Sequence, residues 1–262
     1  MTGAGGESWQ DRFEVTWPRP AVALVRLNRP DKLNAMDQRF FAGLIALMQQ
    51  LGQEGDEGLD ETRAIVLTGA GRAFSAGGDI DMFAGLAGRT SAVRPHLRVV
   101  YDAFHSVERC PVPVIAAVNG VAFGGGTELA LACDIVLAGQ AARFAFKEVT
   151  VGLSPGFGIV RGPDVIGPAW TRLLALSGLE IGPDRAREIG LAAQVHPDGE
   201  LVESALDLAA QIAAQPSLAV RVGKAFLNRG THIGFDESVE AIALLFGTPE
   251  HAEAVQRFRS RK

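Results

Sequence analysis

The stretch from Val114 to Leu129, VIAAVNGVAFGGGTEL, decides the fold. Its first five residues form a continuous apolar run, which is typical of a strand buried on both faces. Three consecutive glycines follow at positions 124–126, and a helix is predicted to run on through Leu129. Free N–H groups point out of a helix N-terminus, where the helix dipole favours negative charge. The stretch predicts either half of an oxyanion-binding site or a tight strand-to-helix turn.

A second corner of the same kind occurs earlier in the chain. The apolar strand predicted at Ala64 to Thr68 leads to AFSAGGDI, from Ala73 to Ile80. One such corner alone is more often a bare turn. Acyl chemistry, however, commonly uses two N–H donors from different segments to hold one oxygen anion. Two corners in one chain therefore favour an oxyanion site.

Glu128 and Glu148 are the candidate acid and base. Glu128 directly precedes an apolar stretch, and Glu148 follows the segment FAFK. Two carboxylates that face one pocket can divide acid and base roles, because burial and mutual repulsion separate their pKa values. Spacing alone also allows two unrelated surface glutamates.

The remaining pattern predicts an α/β fold with crossover connections. Further strands are predicted at Ala21–Leu27 and Ile135–Ala138, and Asp37 is predicted to cap a helix. Amphipathic helical patterns dominate the last part of the chain, at 201–214, 218–228 and 235–246. The predicted division is a disordered segment 1–12, a core 13–197 that holds the active site, and a helical region 198–262.

Composition narrows the class of protein. The chain has 262 residues, 47% of them hydrophobic, and a net charge of −5, which argues against a disordered chain and against a nucleic-acid binder. The N-terminus lacks the basic and apolar regions of a signal peptide, and the sequence contains no long apolar run. The expectation is a soluble cytoplasmic protein that is not bound to a membrane.

Several other motifs do not support a function. GLSPG, from Gly152 to Gly156, matches a nucleophile elbow, but Pro155 lacks the N–H that this turn must donate. Cys110 and Cys133 are expected to be small buried side chains. No metal site is predicted, because the histidines lack ligand spacing and are expected at the surface or at helix caps: His96, His105, His196, His232 and His251.

Taken in order, the motifs resemble the crotonase (enoyl-CoA hydratase/isomerase) superfamily over roughly residues 20–262. The segments that carry the resemblance are RPDKLNAM at 29–36, AFSAGGDI at 73–80, VIAAVNG running into GGGTEL at 114–129, CDI at 133–135, FKEV at 146–149 and LFGTPE at 245–250. Each segment alone is weak, whereas their order and spacing together are specific.

The resemblance implies a spiral of ββα units, with the helical region 198–262 packed against neighbouring subunits in a homotrimer or a dimer of trimers. It assigns the oxyanion hole to the N–H groups of Gly78 and Gly125, and the reacting water to Glu128 and Glu148. No cofactor is implied, since coenzyme A is part of the substrate. Residues implied to line the coenzyme A thioester are Lys32, Leu33, Ala35, Ala76, Gly77, Asp79 and Ile80.

The expected reaction is hydration of a trans-2-enoyl-CoA, with Glu128 as base and Glu148 as acid. The alternatives are a Δ3–Δ2 enoyl-CoA isomerase that uses Glu148 alone, an acyl-CoA hydrolase or decarboxylase, and a non-catalytic acyl-CoA binding protein. Phe157 departs from the small residues common in the hydratases and is expected to narrow the acyl pocket. Residues 81–95 are loosely patterned, which leaves the acyl chain length open.

Overall fold

The structure is a computed structural model that describes residues 11–53, 61–228, 239, 243 and 246–260. Each strand predicted from an apolar run is present within one residue of its expected bounds. The strands are β1 (Phe13–Arg19), β2 (Val22–Leu27), β3 (Ala64–Gly69), β4 (Ala73–Ser75), β5 (Val114–Val118), β6 (Val121–Phe123), β7 (Ile135–Gly139), β8 (Arg143–Ala145) and β9 (Gln194–His196).

Helices connect the strands and dominate the described part of the C-terminal region. They are α1 (Gln38–Gly52), α2 (Ile80–Leu86), α3 (Thr90–Glu108), α4 (Gly125–Ala132), α5 (Gly156–Ser177, kinked at Gly167), α6 (Pro183–Glu188), α7 (Leu201–Ala213), α8 (Ser217–Leu227) and α9 (Pro249–Arg259). Two 3-10 turns occur at Pro30–Lys32 and Glu148–Val151. In the described segments, no helix is both long enough and apolar enough to cross a membrane.

The strands form two sheets that the chain visits alternately. One sheet has the order β1-β2-β3-β5-β7-β9, and the other has the order β4-β6-β8. The chain passes from β3 to β4, from β5 to β6 and from β7 to β8, and a helical segment follows each pair. This repetition is the spiral of ββα units expected from the resemblance. The smaller sheet is not visible in the sequence because its strands are only three residues long. Such strands are too short to show an alternation of apolar and polar residues.

Burial on both faces explains the continuous apolar strands. One face of the six-stranded sheet packs against α7, through residues such as Val66, Ala117 and Leu137. Their neighbours along the strands, such as Ile65 and Ala116, belong to the larger core on the other face. Because alternate residues of a strand point to opposite faces, both sets must be apolar.

The predicted cap of α1 is present: the Asp37 carboxylate accepts a hydrogen bond from the Phe40 N–H at 2.9 Å. Residues 1–10 lie outside the described residues, as does most of the helix predicted at 235–246. Both cysteines are buried free thiols, as expected.

The surface position expected for the histidines is wrong for three of them, His96, His105 and His251, which are buried. They lie on the inner faces of α3 and α9, so their position along the helix places them in the core although their side chains are polar.

Candidate active site

The glycine run after β6 forms the start of α4. Gly124 has a positive φ of 51° and directly precedes Gly125, the first helical residue. A Cβ on Gly124 would lie 2.7 Å from Oε1 of Glu148, and a Cβ on Gly126 would collide with the carbonyl oxygen of Ser75. Close packing therefore requires glycine here. The Gly125 N–H, at the first helical position, has no carbonyl partner inside the helix.

Gly77 and Gly78 form the second corner, which is held by Met36. The Met36 N–H donates to the Gly77 carbonyl at 2.8 Å, and the Asp79 N–H donates to the Met36 carbonyl at 2.9 Å. Met36 and Gly78 are thus paired in a parallel bridge. Its two hydrogen bonds are made by Gly77 and Asp79, the residues on either side of Gly78. In such a bridge the N–H of the paired residue points away from its partner. The Gly78 N–H therefore faces away from Met36.

The two glycine corners touch each other. A Cβ on Gly77 would lie 3.2 Å from the backbone nitrogen of Gly125, and a Cβ on Gly125 would lie 3.8 Å from the backbone nitrogen of Gly78. The structure therefore brings together two backbone N–H groups that the sequence places far apart. Two N–H donors from different segments are what an oxygen anion of acyl chemistry requires.

Glu128 is buried in the first turns of α4 and is held by the start of α5. Its Oε1 accepts a hydrogen bond from the Gly158 N–H at 2.8 Å, and the N–H groups of Phe157 and Gly156 also donate to the carboxylate. Burial raises the pKa of Glu128 to about 7, although these three hydrogen bonds act in the opposite direction. The N–H groups at the start of α5 thus lower the free-energy cost of an ionised Glu128 in the core.

Glu148 is the first residue of the turn Glu148–Val151 and lies beside Gly124. Within the described part of the chain, its buried Oε2 has no hydrogen-bond partner. Burial and then the charge of Glu128 raise the pKa of Glu148 well above its ordinary value. Glu148 therefore lies close to Glu128, and it has fewer donors that could stabilise its charge.

An ionised Glu128 raises the pKa of Glu148, after burial, because neighbouring buried charges of like sign repel each other. Glu128, which accepts three N–H groups, is the better site for the negative charge. Glu148, whose Oε2 is unpaired, is the better site for the proton. The arrangement thus provides one base and one acid beside the paired glycine corners.

A stability measurement tests the burial of Glu128. Its pKa is higher in the folded state than the ordinary 4.5, so it stabilises the fold below about pH 4.5 and loses this contribution as the pH rises through 7. Glu128→Gln mimics the protonated form. The excess stability of this variant over the wild type should grow by about 3 kcal/mol between pH 5 and pH 8, as measured by urea unfolding. An excess that does not change with pH would contradict the raised pKa.

The loop before Asp37 meets the Gly77 corner, as expected for a shared binding surface. Lys32 ends the first 3-10 turn, the Ala35 N–H donates to the Lys32 carbonyl, and the Ala76 N–H donates to the Leu33 carbonyl at 2.9 Å. Leu33 has a positive φ of 51°, which exposes its carbonyl to this contact.

Asp79 and Ile80 begin α2 at the same corner. The Asp79 carboxylate accepts the Asp81 N–H at 2.9 Å and forms an ion pair with Arg29 at 3.0 Å. Oδ1 of Asp79 thus holds the start of α2, and Oδ2 holds the Arg29 side chain. Ile80 is the first residue of the helix.

Sequence reasoning missed two sets of supporting groups. One set is the backbone N–H groups of residues 156–158. The glycines there and the start of a helix after Pro155 were the sequence features that could have indicated them. The other is Asn34, buried in the motif at 29–36, whose Nδ2 donates to the carbonyls of Ala70 and Ala73. Phe157, expected in the acyl pocket, packs its ring edge-on against Phe104 in the core at 5.2 Å.

Within the described ranges, no group of three or more His, Cys, Asp or Glu side chains is placed to hold a metal ion.

Comparison with known proteins places the chain in a family. Residues 19–261 match the family model described as enoyl-CoA hydratase/isomerase. The chain is 34% identical over 253 residues to the 2,3-dehydroadipyl-CoA hydratase of Escherichia coli (strain K12), covering 92% of this chain and 93% of that protein. It is 35% identical over 245 residues to the mitochondrial Delta(3,5)-Delta(2,4)-dienoyl-CoA isomerase of Homo sapiens, covering 89% and 73%.

A solved structure shares the same fold over nearly its full length. The crystal structure of an enoyl-CoA hydratase/isomerase from Mycobacterium paratuberculosis matches with a TM-score of 0.86 and 33% identity, covering 94% of this chain and 98% of that one. The chain therefore belongs to the enoyl-CoA hydratase/isomerase family of enzymes, as the motifs in its sequence predict.

Proposed function

We propose that this enzyme adds water across the double bond of a trans-2-enoyl-CoA. The observation that carries the proposal is the pair of buried carboxyl groups, Glu128 and Glu148, beside the paired corners at Gly78 and Gly125. An isomerisation needs one group that moves a proton, whereas hydration needs a base for water and an acid for the α-carbon. Two coupled carboxyls meet that requirement.

The thioester oxygen is proposed to lie between the N–H groups of Gly78 and Gly125. Negative charge develops on this oxygen as the enolate forms, so both hydrogen bonds strengthen in the transition state. The thioester is itself the electron sink, and the proposed reaction therefore requires neither a metal ion nor a redox cofactor.

The proton transfers balance across the carboxyl pair. Glu128 accepts a proton from water while the water oxygen bonds to the β-carbon. Glu148 gives its proton to the α-carbon as the enolate collapses. The step leaves Glu128 protonated and Glu148 ionised. Because the two groups are coupled, passing the proton from Glu128 to Glu148 restores the starting state.

Isomerisation of a 3-enoyl-CoA is the second candidate. Two observations favour it: the unpaired Oε2 of Glu148, which could take and return a proton alone, and the 35% identity to a dienoyl-CoA isomerase. The two reactions differ in their need for Glu128.

A direct comparison of substrates separates these reactions. Wild-type enzyme and Glu128→Gln are each assayed with a 2-enoyl-CoA in water and with a 3-enoyl-CoA, with products resolved by chromatography. We expect wild-type hydration of the 2-enoyl-CoA and a loss of about 10²-fold or more in the variant. Isomerisation that survives in Glu128→Gln, without wild-type hydration, would replace the hydratase assignment.

We propose that the phosphates of coenzyme A contact a cluster of exposed charged side chains around Asp81, near the start of α2. Lys32 Nζ and an Arg259 guanidinium nitrogen each lie 3.7 Å from Asp81, and all three side chains are more than half exposed. Lys32→Ala should raise KM about threefold at low salt, and Asp81→Asn should lower it by a similar factor. Both effects should fade in high salt, because exposed charges are screened. Equal KM values at low salt would exclude this contact.

The helical region 198–262 is proposed to mediate assembly into a homotrimer or a dimer of trimers. Supporting this, Leu218, Val222 and Leu227 of α8 are large apolar side chains that are 75%, 46% and 83% exposed. A cluster of exposed apolar side chains on one helix is typical of a protein–protein contact.

A further inference from the structure

His251 is a buried histidine on α9 that touches the turn bearing Glu148. Its side chain is fully buried, and Nδ1 lies 2.8 Å from the carbonyl oxygen of Val151. A carbonyl oxygen can only accept, so Nδ1 carries the hydrogen and donates it. Nε2 is also buried and makes no hydrogen bond with the described residues.

The contact with Val151 fixes a very short segment. Val151 ends the turn Glu148–Val151, and the Glu148 carbonyl accepts the Leu153 N–H at 2.9 Å just beyond it. The backbone between Glu148 and Val151 is thus held at both ends of one turn. A displacement of Val151 would move the Glu148 carboxyl with it.

A second contact links the same helix to the oxyanion corner. The ring of Phe246 lies 4.8 Å from that of His251 and 5.6 Å from that of Phe83, measured between centroids. The Phe83 ring in turn lies where a Cβ on Gly78 would stand. His251 therefore contacts the turn that bears Glu148, and it reaches the Gly78 corner indirectly, through the rings of Phe246 and Phe83.

Packing alone does not account for an imidazole at this position. An apolar side chain would fill a fully buried site without the free-energy cost of burying two polar ring nitrogens. The His251 N–H donates separately to Thr248 Oγ1 at 3.3 Å, so the cap of the helix and the imidazole contact are different hydrogen bonds. The specific gain from histidine is the hydrogen bond to Val151.

We propose that His251 is a positioning residue for the acid: its Nδ1–H holds the turn Glu148–Val151 so that the Glu148 carboxyl faces the acyl α-carbon. The inference rests on the proposed function of Glu148 as the proton donor. It assigns to the C-terminal helix a share in catalysis that acts through the backbone carrying Glu148.

The effect should be visible in the protonation of Glu148. Glu128 is the charged group that raises the pKa of Glu148, whereas Lys147 pairs with Glu180 and Arg161 pairs with Glu108. The charged groups on α9 also have partners other than Glu148: Arg257 pairs with Glu253, and Arg259 pairs with Asp81. If the turn loosens, Glu148 gains water and moves away from Glu128, and its pKa must fall.

The test compares His251→Phe, which keeps a ring but loses the donor, with His251→Asn, which keeps a donor near the Nδ1 position. Thr248→Ala is the matched control, since it weakens the same helix by removing its cap. We expect His251→Phe to lower kcat about tenfold to 10²-fold with KM within about twofold. The alkaline limb of its pH–rate profile should move to lower pH. His251→Asn should recover most of kcat, and Thr248→Ala should lower the unfolding midpoint without moving the limb.

A titration of the carboxyl pair separates this inference from the proposed function. Carbon-13 NMR of glutamate-labelled protein follows Glu128 and Glu148 without any turnover. A lower Glu148 titration midpoint in His251→Phe, absent in Thr248→Ala, would support positioning even if no enoyl-CoA is hydrated. An unchanged midpoint and limb in His251→Phe would overturn it. If His251→Phe does not fold, His251→Leu and His251→Asn are compared in the same way, and equal midpoints in both would also overturn it.

Discussion

Glu148→Gln should lose hydration of a 2-enoyl-CoA almost completely, by about 10²- to 10⁴-fold in kcat. The substitution removes the proton that the α-carbon needs, while keeping the size of the side chain beside Gly124. Glu128→Gln should lose a similar factor, because an amide cannot accept a proton from water. KM should change little in either variant, since neither group is proposed to bind coenzyme A. Steady-state kinetics with crotonyl-CoA measures both effects.

Glu108→Gln is the matched control for these two variants. Glu108 is another buried glutamate, and burial raises its pKa to about 7, but it lies beside Arg161 and outside the proposed site. Its loss should leave kcat within about threefold. Wild-type turnover in Glu128→Gln or Glu148→Gln, with folded protein confirmed by circular dichroism, would contradict the assignment of two carboxyls. If Glu108→Gln lost as much kcat as the other two variants, the losses would reflect the removal of a buried glutamate in general and not a catalytic role.

Gly125→Pro should lower kcat by about 10²- to 10³-fold relative to Gly125→Ala. Gly125 is the first residue of α4, a position where proline fits the helix, and the proline ring puts Cδ in place of the N–H hydrogen. Alanine at this position adds a Cβ that meets Met36 Sδ at an ordinary 3.5 Å, and it keeps the N–H. The pair of variants therefore compares a site that keeps this donor with one in which a ring carbon replaces it.

The comparison requires that both variants bind the substrate. Titration with a saturated acyl-CoA, which cannot be hydrated, should give dissociation constants within about tenfold of each other. Equal kcat values for Gly125→Pro and Gly125→Ala would show that the Gly125 N–H does not stabilise the developing charge. The anion would then have to be held by the Gly78 corner alone.

The sequence predicted those parts of the structure that local chemistry specifies. The longer strands were visible because burial on both faces requires unbroken apolar runs, and Asp37 was visible as a cap because of the helix pattern after it. The glycine corners were visible because Gly77 and Gly126 cannot carry a Cβ where backbone meets backbone. The resemblance then supplied the spiral order.

The sequence could not supply the contacts between distant segments. The N–H groups that hold Glu128 come from a helix that begins at Gly156, and no local pattern shows which way that helix points. His251 was expected at the surface or as a cap, because its partner Val151 lies a hundred positions earlier in the chain. Asn34 was quoted only within a motif, although it ties its own loop to the turn between β3 and β4. Such roles depend on tertiary packing.

The three N–H groups that hold Glu128 also bear on how a site of this kind diverges. They belong to the backbone of α5, so they persist whatever side chain occupies position 128. Replacing Glu128 by glutamine removes a costly buried charge and keeps an oxygen that can accept these hydrogen bonds, so the change should be accepted without loss of stability. The scaffold can therefore lose its proposed base and keep its proposed anion site in a single substitution, which leaves a chemistry that uses one carboxylate.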